Sequence, residues 1–266
     1  MRRLRRLIQK RSLRRSEEAC VIEGPDLIEA ALAAGVEFEA IYFDGAMIGV
    51  SSIDSLVSRA TVQGVRVFPL APGVLQKIAD TQTPQPILAS VRVSLRALEE
   101  LPLQGLILVL HEIRDPGNAG TIIRSADAAG AAGIVFTGQS VDPFNPKTLR
   151  ATAGSIFHLP VVVGTLESVL DHFSRAGVRT LASVVRGGTS HREIDFRASN
   201  VVVIGNESDG LKPEEVALCD ERLTIVMSGR NESLNAGVAA SLFAFEAMWQ
   251  RQDITRRSPG PSLEEP

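Results

Sequence analysis

Leu106-Ile107-Leu108-Val109-Leu110, running straight into His111-Glu112-Ile113-Arg114-Asp115-Pro116-Gly117-Asn118-Ala119-Gly120, decides the fold. Five apolar residues in a row cannot alternate between a core face and a wet face. The run reads as a strand buried on both sides, as in a parallel sheet. The segment after it, punctuated by Pro and Gly, reads as a loop entering a helix near Asn118. On that helix Ile122, Ile123 and Ala126 point to a core, while Arg124 shares a face with Gly117, Gly120 and Thr121. Further strands are predicted at 134–136, 159–163, 180–184, 201–204 and 223–226, and helices at 118–130, 146–152, 166–176, 213–218 and 233–250. This alternation predicts an α/β fold, a parallel sheet with helices on both faces.

Towards the N-terminus, residues 94–104 read as a linker carrying charge and Pro102. Before it lies a smaller α/β block. Strands are predicted at 20–22, 38–43, 65–68 and 87–93. A helix starting at Pro25 carries Leu27, Ile28, Ala31 and Leu32 and stops at Gly35, and further helices lie near 53–57 and 74–79. Residues 81–86 read as a polar loop. Residues 1–15 hold Arg2, Arg3, Arg5, Arg6, Lys10, Arg11, Arg14 and Arg15 and no acid, with Leu4, Leu7 and Ile8 on one helical face. The tail, 253–266, is polar with three prolines and is expected to be disordered. The chain thus divides into a basic arm (1–15), a small domain (16–98), a larger domain (104–252) and the tail.

The chain has 266 residues, 44% apolar and 22% charged, which excludes a mostly disordered protein. No apolar run approaches a membrane span, and the basic start has no apolar core behind it, so neither a membrane anchor nor a secretory signal is expected. Two cysteines, Cys20 and Cys219, cannot by themselves make a disulfide framework or a four-ligand zinc site, and reduced thiols in a cytoplasmic protein are expected. The net charge of −3 hides an asymmetry: beyond residue 15 the chain has 20 basic against 31 acidic residues. Arginine is the better fork for phosphate, so the arm, through Arg2, Arg3, Arg5, Arg6 and Arg11, hints at RNA. A solvated helix would read the same way.

Several sites are excluded. Gly117 and Gly120 match neither a dinucleotide fingerprint nor a phosphate-binding loop, and His111-Glu112 lacks the second histidine of a zinc helix. His111, His158, His172 and His191 have no ligand spacing, and no metal is expected. Chemistry is expected where strands end at their carboxyl edge. Three such ends are crowded with Gly, Asn and charge: 111–120, Ile204-Gly205-Asn206-Glu207-Ser208-Asp209-Gly210-Leu211, and Ile225-Val226-Met227 through Ser233-Leu234-Asn235-Ala236-Gly237. Each residue has a plain alternative. Asn118 and Ser233 read equally as helix N-caps, Glu207 as a turn carboxylate, and Arg124 as a surface cation.

The ordered trio resembles the SpoU (TrmH-like) RNA ribose methyltransferases of the SPOUT superfamily. The family's Asn-x-Gly with a following arginine matches Asn118-Ala119-Gly120 and Arg124. Its Gly-x-Glu-x-x-Gly-Leu matches Gly205 to Leu211. Its Ile-x-Met strand and Ser-Leu-Asn match Ile225, Met227 and 233–235. Two departures stand out. Val226 replaces a usual proline, and Ala236-Gly237 replace Val-Ser, which is expected to widen the helix start. Residues 18–93 resemble the small L30e-like RNA-binding domain that many such enzymes carry.

The resemblance implies a trefoil-knotted α/β domain, an obligate homodimer, and S-adenosylmethionine held by Ser183, Ile204, Gly205, Gly210, Ile225, Met227 and Leu234. It implies methyl transfer to a ribose 2′-hydroxyl, with Arg124, Asn118, Glu207, Ser233 and Asn235 as the catalytic set. Arginine is effectively always protonated, so positioning the hydroxyl suits Arg124 at least as well as acting as its base. The expected substrate is 23S rRNA. A tRNA substrate, or a non-catalytic RNA-binding protein of the same fold, are the alternatives.

Overall fold

In the computed structural model, described over residues 1–78 and 85–257 with side chains as far as Gln252, the chain builds two sheets. The first contains β1 (Ala19–Glu23), β2 (Phe38–Asp44), β3 (Val67–Leu70) and β4 (Ile87–Arg92), in the order β1-β4-β2-β3. β4 is antiparallel to β1 and β2, while β3 is parallel to β2. β3 starts two residues later than expected and contains Pro69, which an edge strand tolerates because one side needs no ladder donor. Most of the predicted loop at 81–86 lies outside the described residues.

Five helices cover this sheet: α1 (Arg2–Gln9), α2 (Arg11–Glu17), α3 (Pro25–Ala33), α4 (Ser51–Val62) and α5 (Val74–Ile78). Ile28 of α3 and Ile53 and Leu56 of α4 bury one face. Leu4, Leu7 and Ile8 of α1, with Leu75 and Ile78 of α5, bury the other against Ala19, Val21 and Leu88. Residues 1–15 are therefore not a free arm. Their apolar stripe is part of a core, and removing it would expose the sheet. Two of the five arginines expected to meet RNA are committed to the fold. Arg3 pairs with Glu17 and Glu39, both at 2.6 Å, and Arg11 donates to the Ser140 carbonyl at 3.3 Å. Arg2, Arg5 and Arg6 are exposed, and none makes a side-chain bond among the described residues.

The second sheet contains β5 (Leu106–His111), β6 (Gly133–Thr137), β7 (Val161–Gly164), β8 (Arg179–Ser183), β9 (Thr189–Ser190), β10 (Asn200–Ile204) and β11 (Glu221–Thr224). Its order is β7-β6-β5-β10-β8-β11-β9, and every pairing is parallel. The apolar run splits as a doubly covered strand must. Leu106, Leu108 and Leu110 enter the core under α6 (Pro116–Ala128) and α10 (Ala236–Arg257), while Ile107 and Val109 enter a second core with Val169, Leu170 and Phe173 of α8 (Leu166–Arg175). α7 (Pro146–Thr152) lies against α6, and α9 (Pro213–Val216) precedes β11. From β5 the chain steps outward through β6 and β7. It then crosses to β8, leaving the place that β10 later fills. β5 and β10 thus become neighbours at the centre, and their carboxyl ends lie side by side at a switch point.

Other boundaries moved for local reasons. α6 begins at Pro116, because Asp115 caps it by accepting from the Asn118 backbone N–H at 2.8 Å. Asn118 is therefore not the cap. α10 begins at Ala236 rather than Ser233, with the Asn235 side chain accepting from the Gly237 and Val238 N–H groups at 2.9 and 3.3 Å. The last strand ends at Thr224, so Ile225 to Met227 continue as extended chain outside it. The two-residue β9 was not expected at all. The segment 94–104 is not a loose linker: Leu101 is buried, and Arg96 N–H bonds the Val161 carbonyl. α10 carries helix into the expected tail as far as Arg257, while 258–266 lie outside the described residues.

The two domains share one continuous apolar core, and a buried ion pair crosses between them. Arg14 meets Asp142 through Nε at 2.7 Å and Nη2 at 2.6 Å, and its Nη1 donates to the Leu7 and Ile8 carbonyls. Both partners are more than nine-tenths buried. Cys20 is buried, and Cys219 is half-buried with its thiol pushed by burial up to about 12. No described helix is long and apolar enough to cross a membrane, and among the described residues no three His, Cys, Asp or Glu side chains gather as metal ligands.

Removing one member of a buried pair strands the other charge. Arg14→Met or Asp142→Asn should cost about 3–5 kcal/mol, while the double change to Met and Leu should cost less than either alone. Urea unfolding of the three variants measures this, and single variants within 1 kcal/mol of wild type would show that the pair does not join the domains (~1 kcal/mol being a surface-pair value).

Candidate active site

The three crowded strand ends meet. Glu207, in the loop after β10, aims its carboxylate at the loop after β5. Its Oε1 accepts from Asn118 Nδ2 at 2.9 Å and from the Asp115 N–H at 3.3 Å, and its Oε2 lies 3.5 Å from the Arg114 N–H. Asn118 Oδ1 in turn accepts from Asn235 Nδ2 at 2.8 Å. One hydrogen-bonded chain, Glu207–Asn118–Asn235, therefore joins all three loops. Asn118 uses both ends of its amide on its neighbours, and Asn235 gives its Nδ2 to Asn118 while its Oδ1 caps α10, which fixes which way each points. Glu207 anchors the first loop and makes no bond to Arg124.

The loop after β10 needs its glycines. The Asn206 and Gly210 backbones bridge as a two-sided turn, with Gly210 N–H on the Asn206 carbonyl at 3.0 Å. A Cβ on Gly205 would run into the Gly210 carbonyl carbon and the Leu211 nitrogen, and Gly210 has φ +68°. Asn206 adds two bonds that sequence reasoning did not assign. Its Nδ2 reaches the Glu112 carbonyl at 3.2 Å, and its Oδ1 takes the Ser208 N–H at 2.7 Å. Glu112 itself sits at φ +55°. An Asx turn inside the second motif was the available signal.

A cleft of about 190 Å³ opens between the second and third loops and the end of β8. Ser183, Ile204, Gly205, Gly210, Ile225, Met227 and Leu234 all line it, as do Glu207 and Ser233. Phe243 lines it as well. It is 1% exposed and packs inward, since residue 243 follows the buried positions 236 and 240 at helical spacing. The lining includes Glu207 and Asp209 and no Lys, Arg or His. A phosphate-bearing ligand finds no cation here, whereas a cationic ligand with a flat ring finds an acidic rim and an apolar wall of Ile204, Ile225, Leu234 and Phe243.

Arg124 stands on α6 outside this cleft, exposed and without a hydrogen bond or ion pair among the described residues. Close helix contacts hold α6 beside the cleft. A Cβ on Gly120 would collide with Ala151 of α7, and one on Gly237 would come within 3.1 Å of Thr121. The expected widening at the start of α10 is not found at Gly237, which lies against Thr121 of α6. Gly237 lets α10 close on α6, where Ser125 and Ser241 hydroxyls meet at 2.6 Å. Val226, in place of the usual proline, is 72% exposed and fills no core position. His111 stands between Thr137 and Glu215, and His158 pairs with Asp127, each with one carboxylate. Burial pushes the Glu215 carboxyl up, but bonds from the Lys212 N–H and His111 outweigh this and hold it below its ordinary value.

Comparison with known proteins agrees with this geometry. The model of the SpoU rRNA Methylase family matches residues 105–245, and that of the MRM3-like substrate binding domain matches residues 1–89. The 23S rRNA (guanosine(2553)-2′-O)-methyltransferase RlmP of Bacillus subtilis is 33% identical over 226 residues, 85% of this chain and 86% of its own length. The AdoMet-bound rRNA methyltransferase of Sinorhizobium meliloti superposes with a TM-score of 0.80 at 30% identity, covering 92% of each chain. The SpoU methyltransferase AviRb of Streptomyces viridochromogenes, in complex with AdoMet, gives 0.82 at 28% identity, covering 94% of this chain and 97% of its own. With its three motif loops joined through Glu207, Asn118 and Asn235, the chain belongs to the SpoU rRNA methylase family.

Proposed function

We propose that the protein transfers a methyl group from S-adenosylmethionine to a ribose 2′-hydroxyl of 23S rRNA, in the cytoplasm. The hydrogen-bonded chain Glu207–Asn118–Asn235 carries this reading, because it ties an acidic, phosphate-excluding cleft to the helix that bears an unpaired arginine. Relatives matching most of the chain are named for 23S rRNA, which supports that substrate over tRNA.

The lining fits S-adenosylmethionine. That molecule has a net positive charge, an apolar ring and polar ends. Ile204, Ile225, Leu234 and Phe243 offer an apolar wall, and Ser183, Asn206 and Ser233 offer hydroxyl and amide groups. It supplies an electrophilic methyl carbon on sulfur. In such a transfer the new carbon–oxygen bond would replace the carbon–sulfur bond, and the hydroxyl proton would pass to solvent. What the chain must do is orientation, since in-line displacement demands a near-attack geometry. Arg124 offers charged donors to the 2′-oxygen and an adjacent phosphate, stabilising negative charge as it develops. Asn118 and Asn235 hold α6 and α10 in register, so that Arg124 has a defined position relative to the cleft.

The working unit is a homodimer with a trefoil-knotted catalytic domain. The placement of β10 between β5 and β8 supports the knot. Val238, Leu242 and Trp249 support the dimer: they are 47%, 38% and 55% exposed on one stripe of α10, with Phe245 between.

Arg124→Ala should lower methyl transfer at least about a hundredfold while leaving S-adenosylmethionine affinity within about threefold, because it lies outside the cleft. Tritiated methyl transfer to deproteinised large-subunit rRNA, with isothermal titration of the cofactor, measures both. Near wild-type turnover would overturn the mechanism. Gly205→Ala should do the reverse, weakening the cofactor about tenfold or more, equivalent to ~1.4 kcal/mol. Light scattering should report a dimer that Leu242→Glu with Trp249→Glu converts to monomer, and a monomeric wild type would refute the dimer.

A further inference from the structure

The cofactor cleft has no cation, yet the substrate is a polyanion. A second cavity, of about 520 Å³, lies between the two domains. Its walls include Gln9 and Glu23 from the small domain, and Arg114, Asn145, Lys147 and Arg150 from the large one. Three cations thus face one carboxylate. Arg150 is committed to Glu23 at 2.9 Å, and Arg114 gives only Nη2 to Glu112, at 3.1 Å. Lys147 is exposed and has no side-chain bond among the described residues. It is one of four lysines in the chain.

The cavity is continuous with the catalytic apparatus. Arg114 and Pro116, which line it, flank Asp115, and the Arg114 and Asp115 backbones face the Glu207 carboxylate. α7 runs beside α6. Ala151 meets Gly120, and Lys147, four residues earlier on the same face, stands beside Pro116 at the start of α6. From Pro116 to Arg124 is eight residues of helix, about 12 Å. On the other side the cavity meets the end of α1, whose Arg2, Arg5 and Arg6 are unpaired.

We infer that this interdomain groove holds the RNA strand next to the methylated nucleotide, with Arg114 and Lys147 on its phosphates, so that the ribose reaches Arg124. The inference rests on the proposed RNA methyltransferase activity. It deepens that activity by assigning the catalytic domain its own phosphate contacts, separate from the cofactor cleft. Such contacts position the strand without reading its sequence.

The test is binding of deproteinised large-subunit rRNA by the full-length protein across a salt series. Arg114→Ala with Lys147→Ala should weaken binding about tenfold and flatten the slope of log affinity against log salt by about 1.4, or ~0.7 for each phosphate that is no longer neutralised. It should raise KM for rRNA more than it lowers kcat, with S-adenosylmethionine affinity unchanged. Lys147→Arg should restore most of the binding that Lys147→Ala removes. Arg175→Ala, which removes a cation from α8 on the other side of the sheet, should leave the slope alone. An unchanged slope in the double variant, or an equal change in Arg175→Ala, overturns the inference and leaves the activity standing. Loss of dimer in the double variant would instead assign the groove to a second copy of the chain. A wild-type protein that binds no rRNA overturns both readings.

Discussion

The site depends on where one carboxylate points. Glu207 leaves a loop closed by the Asn206–Gly210 turn and reaches across to the Asn118 amide and the backbone ahead of α6. An ionised carboxylate accepts several bonds at once, and bonds to a charged acceptor are stronger than neutral ones. Removing it would free the start of α6, the Asn118 side chain and, through Asn118, the cap of α10. The glycines on either side are required by the same constraint. Gly205 allows the loop to fold back on Gly210 without a clash, and Gly210 adopts the left-handed turn that closes it. The second and third motifs are thus one mechanical unit with the first, although about ninety residues separate Asn118 from Glu207 in sequence (89 positions).

Charge is sorted as strictly as apolar surface. The cleft between the second and third loops is lined by Glu207 and Asp209 and by no cation, while the groove between the domains collects Arg114, Lys147 and Arg150 against Glu23. A cationic methyl donor and a polyanionic acceptor would compete for one field if they shared a site. In the proposed reaction, opposite fields on the two sides of the loop before α6 would let each reactant enter its own. The buried Arg14–Asp142 pair crosses between the two domains that wall the groove. Burying that pair is costly, but a misplaced domain would leave both charges unpaired, so the contact favours one docking geometry.

The small domain shows how composition misleads without packing. Eight cations in fifteen residues suggest an arm in solvent, yet Leu4, Leu7 and Ile8 are sealed under the sheet and Arg3, Arg11 and Arg14 hold the fold together. Helical spacing of those three apolar residues was visible. That Glu39 and Asp142 would wait for particular arginines was not, because those partners lie 36 and 128 positions away.

Periodicity and local chemistry determined the elements. An unbroken apolar run demands a doubly covered strand, and Pro25, Gly35 and the polar loops mark where helices start and stop. The three motif segments were legible because each carries its own backbone requirement, and the structure brings the residues expected against the cofactor to one cleft. Tertiary structure alone decided the order β5-β10-β8, which makes two distant loops neighbours, and the role of Asn118, which read equally well as a helix cap until Glu207 and Asn235 were beside it. It also turned Phe243 inward and used Gly237 to bring α10 against α6. The physical reason is range: turns, caps and amphipathic faces act over a few residues, whereas strand order and the pairing of charges across domains depend on which surfaces meet once the chain has closed on itself.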